Sequence, residues 1–200
     1  DGIVLDVGNS VSKIIPFHDY EVIKPAVNRM NIGGQDVTEY LQDLLYQRNY
    51  RMTTSAQKDM TCDMKEKICF VKYNHNELRK DLLASYSLPD GTVISIDEER
   101  YKCTEILFKT YLNGSDFEFN GLVEMLIDSA KKIEVGKISS ACRSIIFSGG
   151  STLFEGFHER IIEEIAHNYL FSDVKSITSL DRKFATWIGG SIVSSLGNFP

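Results

Sequence analysis

Two turns in this sequence carry residues able to hold an anionic ligand. The first is Val7-Gly8-Asn9-Ser10, set directly behind Asp6. A tip of this kind offers Gly8, a run of backbone amides and the hydroxyls of Ser10 and Ser12, a combination that can cradle phosphate. A carboxylate at the position of Asp6 can hold a hydrated Mg²⁺. The plainer alternative is a surface hairpin with a capping Asp. The second turn is Ser148-Gly149-Gly150-Ser151. Paired glycines let the backbone take φ > 0 and approach another group without a Cβ in the way. Its N–H groups could face a ligand, or the glycines could serve turn geometry alone. A third group, Lys65-Glu66-Lys67, reads by itself as a solvated charged turn.

The elements that must position these residues follow from apolar periodicity. Ile145, Ile146 and Phe147 form a short β-branched run expected to be a buried strand. Phe157, Ile161 and Ile165, with Ile162 beside them, recur at helical spacing, so the order is strand, Gly-Gly turn, helix. Residues 2–6 read as a strand and 11–17 as its hairpin partner, with a third strand expected over 22–31. Gly33-Gly34 marks a crossing point. Val37, Tyr40, Leu41, Leu44 and Leu45 share one helical face behind Asp36. Thr54-Ser55 offers an N-cap for a second helix through Met60, Met64 and Ile68. Residues 73–85 read as a polar excursion. Asp90-Gly91 is a hairpin turn leading into 93–96, and 105–108 is short and apolar. Asn113-Gly114-Ser115 is the best linker. Leu122, Val123, Leu126, Ile127 and Ala130 give a strong helix. A polar link then runs to Arg182-Lys183, and a last helix carries Trp187, where Gly189 and Gly190 permit close approach of another backbone. The apolar stripes all read as core.

Composition bounds the function. Of 200 residues, 42% are hydrophobic and 25% charged, which fits one globular domain or two small lobes sharing a core. A net charge of −6, with basic residues scattered, argues against a nucleic-acid footprint. No apolar run approaches the roughly 20 residues that span a bilayer, and no signal peptide is read. The chain enters a strand pattern directly at Asp1, as a cut inside a larger fold would. Cys62, Cys69, Cys103 and Cys142 lack CxxC spacing and are expected as reduced thiols of a cytosolic protein. The histidines His18, His75, His158 and His167 lack metal-ligand spacing, and no G-x-S-x-G elbow is present.

Taken together, six segments resemble the actin family: 2–6 (GIVLD), 31–36 (NIGGQD), 64–69 (MKEKIC), 88–91 (LPDG), 148–152 (SGGST) and 187–191 (WIGGS). Each is weak alone, but their order is specific, and the resemblance covers essentially the whole chain. Within the family, SGGSTLF followed by Glu155-Gly156-Phe157 is similar to centractin, the filament-forming subunit of dynactin. The resemblance implies an α/β ribonuclease-H-like ATPase lobe, of the type shared with sugar kinases and Hsp70 chaperones, carrying an inserted smaller α+β lobe. This would be half of the full two-domain fold. The large lobe would be residues 1–32 and 116–200, and the inserted lobe 33–115.

The resemblance also implies a ligand, ATP or ADP with Mg²⁺ or Ca²⁺, and a set of site residues. Asp6, Gly8, Asn9, Ser10 and Val11 would face phosphates and metal, with Asp6 reaching the metal through water. Gly34, Lys65 and Glu66 would hold ribose and adenine edges. Gly150, Leu153 and Phe154, with Lys183, would enclose the adenine, and Gly149 and Ser151 would also bind the nucleotide. The family's first phosphate loop and catalytic glutamine would precede Asp1, and further helices would follow Pro200. Implied partners are other actin-like subunits or actin-binding proteins, in the cytoplasm and cytoskeleton. A phosphotransferase or chaperone on the same core is the alternative class; Lys65-Glu66-Lys67 and Leu88-Pro89-Asp90-Gly91 match actins instead. Between 107 and 122, where actin filaments make contacts, the chain departs most from actin. It also departs at the hairpin tip, with Asn9 and Ser10 where actins have Asp and Gly. Lys13 occupies the position of a histidine that helps order the attacking water.

Overall fold

The computed structural model describes residues 1–73, 82–114, 118–171 and 173–197. Its organising strand is β1 (Gly2–Val7), in which Ile3, Leu5 and Val7 are fully buried. β1 forms an antiparallel hairpin with β2 (Ser12–His18), in a register that sets Asp6 opposite Lys13. Its other edge pairs in parallel with β7 (Ser144–Ser148), which sets Asp6 beside Ser148. β8 (Lys175–Thr178) adds in parallel to β7, while β3 (Glu21–Val22) and β4 (Asn28–Met30) both pair with β2. The six strands form one mixed sheet, and with the helices around it the α/β expectation holds.

Two expectations for this sheet need correction. The strand expected over 22–31 is interrupted by a 3-10 turn, Lys24–Ala26. Pro25 has a fixed φ and no N–H to give a ladder, so pairing stops there and resumes at β4, where Met30 lies opposite Ser12. The link expected before Arg182 contains β8, whose four residues are all exposed. Its alternation is invisible because neither face is covered; backbone pairing with β7 alone defines it.

α1 (Gly34–Gln47) buries Val37, Leu41, Leu44 and Leu45, and its Asp36 carboxylate accepts from the N–H of Gly33 at 2.8 Å. α2 (Ser55–Ile68) begins in a reciprocal cap. The Thr54 hydroxyl accepts from Gln57 N–H, and the Gln57 side chain accepts from Thr54 N–H. β5 (Ala84–Ser87) and β6 (Val93–Ile96) form the hairpin, with Gly91 at φ 86° in its turn. Of the excursion expected over 73–85, residues 74–81 lie outside the described residues, and its end is β5. α3 (Glu99–Lys102) and a 3-10 turn, Cys103–Leu107, follow. Gly114, at φ 65°, ends another 3-10 turn, while Ser115 of the expected linker lies outside the described residues, as does part of the 107–122 stretch.

α4 (Leu122–Lys131), α5 (Val135–Ala141), α6 (Phe157–Ile165) and α7 (Ala185–Ser194) complete the chain. A 3-10 turn, Gly150–Leu153, separates β7 from α6, so the strand, turn and helix are joined less directly than expected. One buried cluster runs from Ile3 and Leu5 through Leu41 and Met64 to Ile106, Leu126, Phe147 and Phe157. α7 is the exception to the reading of apolar stripes as core: Trp187 is 76% exposed, and Ile192 and Val193 are exposed with it.

Candidate functional site

The end of β1, the start of α1, the C-terminal end of α2, the turn after β7 and the start of α7 meet around one cleft of about 580 Å³. That volume lies within the range of small-molecule and cofactor sites. At its base the Asp6 carboxylate accepts a hydrogen bond from the Ser148 hydroxyl at 2.8 Å. Such a carboxylate fits a hydrated divalent cation, because hard oxygen is what Mg²⁺ and Ca²⁺ take and Mg²⁺ keeps several of its waters.

The hairpin tip is locked onto α1. Gly8 and Asn9 carbonyls accept from the N–H groups of Gly34 (3.0 Å) and Gln35 (2.7 Å), the orphan donors of the helix start. Ser151 seals the joint, its hydroxyl donating to the Gly8 carbonyl at 2.8 Å. Two details of the tip differ from expectation. The Gly8 N–H closes the turn on the Val11 carbonyl at 3.0 Å. The Ser12 hydroxyl is buried and donates to the Ile32 carbonyl at 2.7 Å, so it supports the crossing into α1 and cannot reach a ligand. Gly8 and Asn9 line the cleft; Ser10, Val11 and Lys13 do not. Lys13 is exposed on the same sheet face as Asp6, across the hairpin.

Lys65 overturns the reading of its triplet as a solvated turn. It is 4% exposed, and its ammonium donates to the Gly34 carbonyl (2.9 Å) and the Thr38 hydroxyl (3.0 Å). It therefore ties the end of α2 to the first turn of α1 while lining the cleft. Glu66 faces Lys183 from across the opening, with Nζ 3.9 Å from the carboxylate and both side chains about half exposed. A pair so wet and long adds little stability; it leaves both groups available to a ligand. Burial holds the Asp36 carboxyl above its ordinary range against the opposing Gly33 hydrogen bond.

The opposite wall is the turn after β7. Gly149, at φ 89°, passes so close to β1 that a Cβ would stand 2.3 Å from the Val7 carbonyl oxygen. Beside it the aliphatic stem of Lys183 lies over Gly150, 3.6 Å from where a Cβ would be. Arg182 fastens this segment, donating to the Thr152 hydroxyl and to the Ser179 carbonyl. Leu153 is 43% exposed and Phe154 half-buried, giving the wall an apolar surface.

The structure thus brings together Asp6, Gly8, Asn9, Gly34, Lys65 and Glu66 with Gly149, Gly150, Ser151, Leu153, Phe154 and Lys183. It adds Lys67, Cys69, Glu155 and Thr186. Cys69 was within reach of sequence reasoning, since four residues after Lys65 is the same helical face. Thr186, three residues after Lys183, carries the same signal. A spacing argument also misses Asp1, His18 and Asp19, which lie at the far end of the β1–β2 hairpin with ligating atoms within 4.8 Å. Among the described residues no helix is long and apolar enough to cross a membrane. The family model described as Actin matches residues 1–200.

Proposed function

Because the chain belongs to the actin family, we propose that its cleft binds ATP or ADP with Mg²⁺ or Ca²⁺. One observation carries this reading. Five stretches far apart in sequence, each singled out for nucleotide contacts, converge on a single cleft. Phe154 and Leu153 offer an apolar wall for a base, and the Lys183 stem lies over the same turn, as long cationic side chains do. Lys65 and Glu66 present a donor and an acceptor at the facing edge. Asp6 holds the cation through water, and Gly8 and Asn9 approach the phosphates, with Ser10 and Val11 completing the turn behind them.

Titration calorimetry with Mg-ATP tests the assignment. Removing an aromatic wall costs about 1–3 kcal/mol of base stacking, so Phe154→Ala weakens binding by roughly 5- to 150-fold in a protein that remains folded. Unchanged affinity refutes the adenine wall.

Lys13 governs turnover in this reading. An ammonium group has three donors and no acceptor, so it attracts phosphoryl oxygens without accepting a hydrogen bond from an attacking water. Asn9 removes one negative charge from the same tip. The protein therefore binds ATP and hydrolyses it slowly, with nucleotide serving chiefly as a conformational ligand. Lys13→His should raise the rate of phosphate release. Release as fast as conventional actin's, with no gain from the histidine, would sink this part.

The protein acts as a cytoplasmic, cytoskeletal subunit. It either forms filaments or occupies a fixed place in an actin-related complex such as dynactin. Sedimentation with Mg-ATP separates these: a pelleting fraction that grows above a critical concentration supports the polymer.

A further inference from the structure

Arg160 does not line the cleft, yet its contacts sit where the two cleft walls are joined. It lies in α6 and is 5% exposed. Its guanidinium donates to the Lys72 carbonyl at 2.6 Å, stands 3.5 Å from the Glu105 carboxylate, bonds Glu164 one turn along, and covers the Phe108 ring at 5.2 Å. A buried cation with this many acceptors is costly to disturb, because removing one partner strands the others.

The segment it grips, 69–72, leaves the end of α2 at Cys69, within one turn of Lys65 and Glu66. The same segment is stitched to the opposite wall. Val71 N–H donates to the Glu155 carbonyl at 2.8 Å, and Phe70 bridges to Glu155. The Val71 carbonyl also lies so near Gly156 that a Cβ there would be 2.2 Å away. Thr104, next to Glu105, donates its hydroxyl to the Phe70 carbonyl at 2.9 Å, so the backing of the segment is itself held by an element that meets Arg160.

We infer that Arg160 is a positioning residue that sets the separation between the Lys65–Glu66 wall and the Leu153–Phe154 wall. It acts by holding Lys72 and Glu105 to α6, and the inference rests on the nucleotide reading above. The walls it spaces are those assigned to base and ribose; the hairpin tip assigned to phosphate is held by bonds in which Arg160 and the segment it grips take no part, to Gly34 and Gln35 of α1 and to Ser151. Its loss therefore acts on adenosine-bearing ligands selectively.

The test compares Mg-ATP, Mg-ADP and inorganic tripolyphosphate on the same protein, with the competent fraction read from calorimetric stoichiometry. Arg160→Gln should weaken Mg-ATP and Mg-ADP by the same factor, roughly tenfold, and leave tripolyphosphate unchanged. Arg160→Lys, which keeps the charge but not the fork, should recover part of the loss. A merely structural role lowers the competent fraction or the melting temperature without moving the dissociation constants, and that result overturns the inference. Equal weakening of tripolyphosphate overturns it as well. Should Arg160→Gln not fold, the same comparison is read from Glu105→Gln, with a smaller shift of the same selectivity expected. ATP binding that these variants leave unchanged sinks this inference alone. No ATP binding by the unaltered protein sinks the nucleotide reading and this inference with it.

Discussion

Gly33-Gly34 and Gly149-Gly150 look alike in sequence, each a glycine pair leading from a strand into a helical turn, and the molecule uses them differently. Gly33 has extended backbone that any residue adopts, at φ −172°; what excludes a side chain is space, since a Cβ would stand 2.7 Å from the Gly8 and Asn9 carbonyl oxygens. Gly149 is excluded twice, by space and by a φ of 89°. In both pairs the first glycine is held against backbone, Gly149 while also lining the cleft, and the second faces the cleft with no backbone against it. A Cβ at Gly34 would meet the Ser151 hydroxyl, the Lys65 ammonium and the Asn9 side-chain oxygen, and one at Gly150 the Lys183 stem, side chains in every case. The alternatives left open by the sequence, structural turn or ligand turn, are thus divided between neighbouring residues.

Four substitutions grade that contrast. Gly149→Ala has the largest effect. Its φ and ψ fall where essentially only glycine goes, a strain of about 1–3 kcal/mol, and overlap with the Val7 carbonyl adds to it. We expect a loss of at least about 3 kcal/mol in urea unfolding, a large share of the roughly 5–15 kcal/mol that holds a domain together. A loss below about 1 kcal/mol would show that β1 and the turn separate easily. Gly33→Ala comes next, at about 1–3 kcal/mol from overpacking alone, because backbone atoms must yield on the hairpin tip. If Gly33→Ala proves costlier than Gly149→Ala, the ranking of strain above crowding is wrong.

What could be read from sequence follows the same division between local and distant causes. The Thr54 cap, the Asp36 carboxylate at the start of α1 and the Asp90-Gly91 turn were visible because each is made within a few residues. The break at Pro25 was equally local, and only the run of apolar residues around it disguised it. β8 was hidden because Lys175–Thr178 pairs by backbone alone with a strand about 30 residues earlier. Lys65 was hidden for a sharper reason. Its triplet is charged and amphipathic in every neighbouring residue, and its burial is caused by the Gly34 carbonyl, 31 positions away. Ser12 is the converse case. Its hydroxyl sits at a tip that invites a ligand, and a carbonyl from Ile32 takes it first. The cleft residues are legible only through the family resemblance, because no periodicity in the chain joins Asp6 to Phe154.

The third substitution, Gly34→Ala, tests whether a polar side chain can absorb what backbone cannot. The new methyl would lie 2.8 Å from the Ser151 hydroxyl, which can rotate away and forfeit its bond to the Gly8 carbonyl. One such bond contributes about 0.5–1.5 kcal/mol, and alanine in a helix recovers about 0.5–1 kcal/mol over glycine. The net change in stability should stay within about 1 kcal/mol of zero. A larger loss would place the Ser151 bond among the main supports of the tip.

Gly150→Ala has the smallest expected effect on stability and says most about the cleft. No backbone atom is among the near neighbours of a Cβ there; the closest contact is the Lys183 stem at 3.6 Å, an ordinary van der Waals distance. Its φ lies outside the left-handed region, so alanine adopts it without strain. Replacing glycine at a compatible position stabilises by about 0.4–1 kcal/mol through the unfolded chain, so urea unfolding should show no loss. The methyl does, however, enter the cleft beneath the lysine stem, on the wall assigned to adenine. Mg-ATP affinity should fall by several-fold while the fold is unchanged, the reverse of Gly149→Ala, where stability and binding collapse together. If Gly150→Ala leaves both untouched, nothing passes close to this backbone when ligand binds. The glycine is then present for the turn alone, and the division between first and second glycine holds only at Gly33-Gly34.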